Sequence, residues 1–159
     1  MTKVIPHLWF DSGMEDALSF YAGLLPDAEV EWVSLLPDGI PGGPSGSVRL
    51  AGFRLADQHF MALETQGADA FNHSFSLMVE CGSQAEVDRI WDGFLEGGGK
   101  AEQCGWLRDR WGMAWQVVPK RLGELIHSPD PDVTRRVVGA VMGMVRIEEA
   151  ALEEAAAGI

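Results

Sequence analysis

The chain nearly repeats itself at an offset of about 70 residues. Ala17-Leu18-Ser19-Phe20-Tyr21-Ala22-Gly23-Leu24-Leu25 aligns with Val87-Asp88-Arg89-Ile90-Trp91-Asp92-Gly93-Phe94-Leu95. Tyr21 then meets Trp91, and Gly23 meets Gly93. Each segment follows an apolar run that ends on an acid, His7-Leu8-Trp9-Phe10-Asp11 in the first copy and Phe75-Ser76-Leu77-Met78-Val79-Glu80 in the second. Two amphipathic helices can look alike by chance, but the matched glycine and aromatic positions favour a duplication. Two strand-then-helix units predict two similar half-domains sharing one core, with a small-molecule site in the cleft between them.

The elements of the first copy are read as follows. Val4 to Phe10, rich in β-branched and aromatic residues, predicts a strand. Ser12 with Glu15 has the capping-box spacing, and Met14, Ala17, Leu18, Tyr21, Leu24 and Leu25 follow at helical period until Pro26. Glu29 to Leu36 alternates as a strand, Pro37 to Gly46 is a loop, and Ser47 to Phe53 with Gln58 to Glu64 form a hairpin.

The second copy opens with a strand from His73 to Glu80. Ser83 caps a helix that ends at Gly97-Gly98-Gly99. Lys100 to Leu107 and Met113 to Val118 complete it, joined through Asp109 and Gly112. Beyond Pro119 a short helix spans Arg121 to Ile126. A long one then starts at Asp130-Pro131, with Val133, Val137, Val141, Met144 and Val145 as its apolar stripe, and stops at Gly158. That stripe either wraps its own domain or packs on a second chain, and a homodimer is the favoured expectation.

Charge removes several functions. Lys and Arg number 12 against 24 Asp and Glu, a formal charge of −12. Nucleic acid and anionic membranes need the opposite sign. No apolar run reaches the roughly 18 residues of a membrane span. Met1 to His7 lacks the apolar core of an export signal. A cytoplasmic protein with Cys81 and Cys104 as free thiols is therefore expected.

Several blocks carry a family resemblance: Trp9-Phe10-Asp11, Phe20-Tyr21, Phe60-Met61-Ala62-Leu63, Gln84-Ala85-Glu86-Val87-Asp88, Gln103-Cys104-Gly105-Trp106-Leu107 and Trp115-Gln116-Val117-Val118-Pro119. They resemble the PhnB-like branch of the vicinal-oxygen-chelate superfamily, whose members include glyoxalase I, fosfomycin-modifying enzymes and bleomycin-binding proteins. The resemblance implies an α+β fold of two paired β-α-β-β-β modules, usually dimeric. Module one is then 1–66, module two 72–119, and 120–159 a C-terminal helical extension. Many such proteins carry a demethylubiquinone methyltransferase label. This sequence does not support it, because its glycine clusters Gly42-Gly43 and Gly97-Gly98-Gly99 occupy a loop and a helix end, so no S-adenosylmethionine is expected.

Metalloenzymes of the superfamily place one ligand on the first and one on the last strand of each module, where the ion acts as a Lewis acid. The resemblance points to His7, Glu64, His73 and Gln116 as ligands of a divalent ion. Gln116 stands where a carboxylate is usual, and the histidines fall about one residue off the pattern, which turns a strand side chain to the other face. A metal-free pocket is the competing expectation. By alternation Phe60, Ala62 and Glu64 share one strand face, Cys104 and Trp106 another, and Gln116 a third. Pointing inward, these six would line an apolar, aromatic pocket for a small molecule. Glu64, if desolvated, would be a general base. Metal-assisted catalysis and simple ligand sequestration remain as two functions.

Overall fold

The computed structural model describes residues 1–44 and 46–159, so Ser45 of the expected loop lies outside the described residues. The chain divides into two compact units, Met1–Ala70 and Phe71–Ile159.

In unit one the elements run β1 (His7–Phe10), α1 (Met14–Leu24), β2 (Ala28–Leu35), β3 (Arg49–Leu55) and β4 (Gln58–Glu64). The sheet order is β1-β4-β3-β2, with β1 parallel to β4 and the other pairs antiparallel. A parallel neighbour requires the chain to cross over between the two strands, and α1 begins that crossing over one face of the sheet. Its buried stripe of Met14, Ala17, Leu18 and Tyr21 shares a core with Leu8, Phe10, Ala51, Phe53, Phe60 and Ala62. Phe53 and Phe60 stack at 5.0 Å between ring centroids. The strand expected from Val4 begins only at His7, because Pro6 has no N–H to give a neighbour; its carbonyl still accepts from the Met61 N–H at 2.9 Å. Ser12 does not cap α1. Gly13 holds the cap position with no side-chain bond of its own.

Unit two continues with β5 (Leu77–Cys81), α2 (Gln84–Glu96), β6 (Lys100–Ala101), β7 (Trp106–Arg108), β8 (Ala114–Pro119), α3 (Lys120–Ile126), α4 (Pro131–Met142) and α5 (Glu149–Ala157). The order β5-β8-β7-β6, with β5 parallel to β8, reproduces unit one strand for strand. The fold is thus α+β, two β-α-β-β-β modules followed by C-terminal helices. Ser83 caps α2 as expected, its Oγ accepting from the Glu86 N–H. Val87, Ile90, Trp91 and Phe94 of α2 are buried. Phe94 packs on Trp115 at 4.9 Å. Each side chain of this size buried so fully contributes about 1.5–3 kcal/mol.

Three expectations are corrected here. His73 is not in a strand: the Asn72 carboxamide accepts from the Ser74 N–H at 2.8 Å and holds 72–75 as a turn. Lys100–Leu107 is not one strand but β6 and β7, separated by a turn in which Cys104 and Gly105 both take positive φ, 60° and 81°. That split supplies the strand that completes the second module.

The long terminal helix is likewise broken. Helix α4 stops at Met142 with Gly143 as cap. The carbonyls of Met144 and Val145 instead accept from the N–H groups of Cys104 and Gly105, both at 2.8 Å. Gln84 clamps the far side of the break: its Nε2 donates to the Ile147 carbonyl at 3.0 Å, and its Oε1 accepts from the Glu149 N–H at 2.7 Å. Val137, Ile147 and Leu152 are fully buried with Val118, Leu122 and Leu125, and Val133, Val141 and Met144 pack against them. Most of the apolar stripe is spent inside its own unit, leaving Val138, Met142 and Val145 exposed.

Candidate functional site

Each sheet has one face roofed by its first helix, and alternation decides which side chains the other face receives. In unit one the register pairs Leu8 with Ala62 and Phe10 with Glu64, while His7 pairs with Met61 and Trp9 with Leu63. Leu8, Phe10, Phe60 and Ala62 are buried, which puts them on the α1 side. Glu64 ends that same row. Its Oε1 accepts from the Met14 N–H at 2.9 Å, at the first turn of α1. A carboxylate there satisfies a donor that the helix leaves bare and meets the positive end of its dipole. Glu64→Ala should therefore lose about 1 kcal/mol in urea denaturation, with Glu64→Gln, which keeps an acceptor, losing less.

The opposite face carries His7, Trp9, His59, Met61 and Leu63 of β1 and β4. Here a cleft of about 520 Å³ opens, within the range that small-molecule sites occupy. Val4, Ile5, Met61 and part of Phe60 give it apolar walls, Lys3 and Asp57 bring one charge of each sign to it, and Trp32 forms a platform. Gly52 is what lets the indole lie there: a Cβ on Gly52 would sit 2.3 Å from Trp32 Nε1. A register shift in β2 between Val30 and Trp32 leaves Glu31 out of the ladder. Its carboxylate meets His59 Nδ1 at 2.7 Å, so a hydrogen-bonded Glu–His pair edges the cleft. Sequence reading missed Trp32, Glu31, Gly52 and His59. The available signal was a glycine mid-strand, which marks a close approach.

In unit two, register sets Trp106 beside Gln116, and Gln116 beside Met78, on the face away from α2. Gln116 Nε2 donates to Ser76 Oγ at 3.0 Å. The His73 ring meets Trp106 edge-on at 5.7 Å. Its Nε2 lies 2.8 Å from Glu102 Oε1, and Arg108 Nη2 lies 2.9 Å from its Nδ1. Arginine can only donate, so Nδ1 accepts and the ring proton sits on Nε2, facing Glu102. The structure thus gathers His73, Trp106 and Gln116 near one face. Cys104 is elsewhere, in the β6–β7 turn with its sulfur against Met142.

The proposed metal ligands do not converge within either unit. His7 and Glu64 leave opposite faces of the β1–β4 pair, and one Glu64 oxygen is engaged by α1. His7 Nδ1 accepts from Trp9 Nε1 at 2.8 Å. Both ring nitrogens of His73 are engaged, and Gln116 offers only a neutral donor. Among the described residues no three His, Cys, Asp or Glu side chains gather as a metal site would need. Taken unit by unit, these residues offer no ready-made seat for a divalent ion. Among the described residues no helix is long and apolar enough to cross a membrane.

Comparison with solved structures places this geometry among known folds. A putative 3-demethylubiquinone-9 3-methyltransferase, a PhnB protein from Bacillus cereus, is 27% identical with a TM-score of 0.65, over 74% of this chain and 99% of its own. A Pseudomonas aeruginosa protein is 23% identical with a TM-score of 0.58, over 76% of this chain and 98% of its own. Glyoxalase I of Leishmania major shares the fold at 9% identity and a TM-score of 0.53, over 77% and 91%. Comparison with curated proteins gave no match. Residues 2–118 match the model of the family described as 3-demethylubiquinone-9 3-methyltransferase. Those residues span both modules as far as Val118, and the chain belongs to that PhnB-like family.

Proposed function

We propose that the chain is a small-molecule-binding protein that takes a flat, neutral or cationic organic ligand in the unit-one cleft. The observation that carries the reading is Trp32, laid flat over Gly52 as a π-platform beside apolar walls. A flat ligand stacks on such a face, and a positive charge on it gains from the ring quadrupole. The formal charge of −12 favours the same sign of ligand, although overall charge says little about one pocket. The family's description names a methyl transfer; the reading here rests on the cleft instead and requires no chemistry.

Acriflavine, a flat aromatic cation, is the first probe, followed by tryptophan quenching and calorimetry. Trp32→Ala should weaken it about tenfold, ~1.4 kcal/mol. Gly52→Ala should do the same by tilting the indole off its seat. Equal binding by the wild type and both variants would remove the cleft from the proposal.

A further inference from the structure

The β6–β7 turn and the end of α4 bring together two sulfur atoms that the cleft does not use. Cys104 Sγ lies 4.0 Å from Met142 Sδ, across 38 residues of chain. The backbone of Cys104 is pinned by its bond to the Met144 carbonyl. Met142 is the last residue of α4 and is 67% exposed, and Cys104 is half-buried, so a small ion reaches both from solvent.

We propose that Cys104 and Met142 form a two-sulfur site for a soft monovalent cation of the Cu(I) or Ag(I) class. Thiolate and thioether are soft donors, which select such ions over hard divalent ones. With metal–sulfur bonds of about 2.3 Å, as in zinc thiolates, the 4.0 Å span closes at an angle of about 120°. That is a trigonal angle, with a third position left for water or an external thiol. The site also lies at the C-terminal end of α4, the negative end of the helix dipole, which favours positive charge.

On binding, the Cys104 S–H bond breaks and its proton goes to solvent. A Cys104 Sγ–metal bond and a dative bond from Met142 Sδ form, with no change of oxidation state. The second cysteine does not compete. Cys81 is fully buried, and desolvation, reinforced by Glu86, pushes its thiol up to about 12, so it stays protonated and unreactive.

The test is anaerobic titration of the reduced full chain with Cu(I) against bicinchoninate. One Cu(I) per chain is expected, lost in Cys104→Ser and unchanged in Cys81→Ala. Met142→Leu, which keeps the exposed apolar bulk, should weaken binding by about tenfold or more while its urea midpoint stays at the wild-type value. X-ray absorption should count two sulfur neighbours in the wild type and one in Met142→Leu. Wild-type affinity in Met142→Leu would reduce the site to a single thiol and overturn the proposal. Binding below stoichiometric in the wild type would overturn it outright.

Discussion

Asp109→Ala should cost about 4 kcal/mol of stability, read as a fall in the urea midpoint. Asp109 is buried in the turn between β7 and β8. Its Oδ1 accepts from the N–H groups of Trp111 and Met113, at 2.9 and 3.0 Å, and its Oδ2 accepts from Trp115 Nε1 at 2.9 Å. Hydrogen bonds to a charged acceptor are worth about 1.5–3 kcal/mol each, and a buried donor left bare adds its own desolvation cost. The three act on one turn, so they do not add fully. Asp109→Asn separates the contributions. It keeps an oxygen for the two backbone donors but can turn an amide N–H toward the Trp115 indole N–H, and about half the loss is expected. An alanine variant within about 1 kcal/mol of wild type would mean that the turn stands without this carboxylate.

Gly105→Ala should cost about 3 kcal/mol, from a left-handed backbone and from overpacking together. Gly105 has φ 81°, and an added Cβ would lie 2.8 Å from Ile147 Cγ1 and 3.1 Å from the Val117 carbonyl oxygen. Ile147 is fully buried and cannot step aside without lifting the C-terminal layer. Hydrogen exchange should therefore accelerate across α4 and α5. Gly112→Ala is the control, since Gly112 has φ 86° but nothing within 4 Å of a Cβ. It should cost only the backbone strain, about 1 kcal/mol. Equal losses in the two variants would show that Ile147 does not press on Gly105.

Much of this architecture is legible in the sequence, for reasons that differ by element. The duplication is visible because both copies bury the same helix face: Tyr21 and Trp91 occupy equivalent buried places in α1 and α2. Ser83 and Glu86 announce the start of α2 because capping is local chemistry. Where tertiary bonds decide, local reading fails. The helix expected to run from Asp130 to Gly158 breaks because Met144 and Val145 give their carbonyls to another turn, a preference that no helical period encodes. The strand expected over Lys100–Leu107 breaks for the same contact.

The site illustrates a different gap. Alternation sorts Phe60, Ala62 and Glu64 from His59, Met61 and Leu63, but it cannot say which set the helix covers. Parallel pairing with β1 settles it, since Leu8 and Phe10 carry their partners Ala62 and Glu64 to the roofed side. The platform residue Trp32 could have been paired with Gly52 only once the β2–β3 register was known.

The bonds from Cys104 and Gly105 to the segment after α4 bear on how this protein can be compared with shorter members of its family. The matched region stops at residue 118. A chain trimmed there would retain both modules yet lose the acceptors of two turn amides and the cover over Val118. The trimmed version is not a minimal domain but a wounded one. Chimeras with a relative should therefore exchange three pieces as a set: the 103–105 turn, Gln84, and everything from 120 onward. Exchanged singly, each would leave the others holding bonds to nothing.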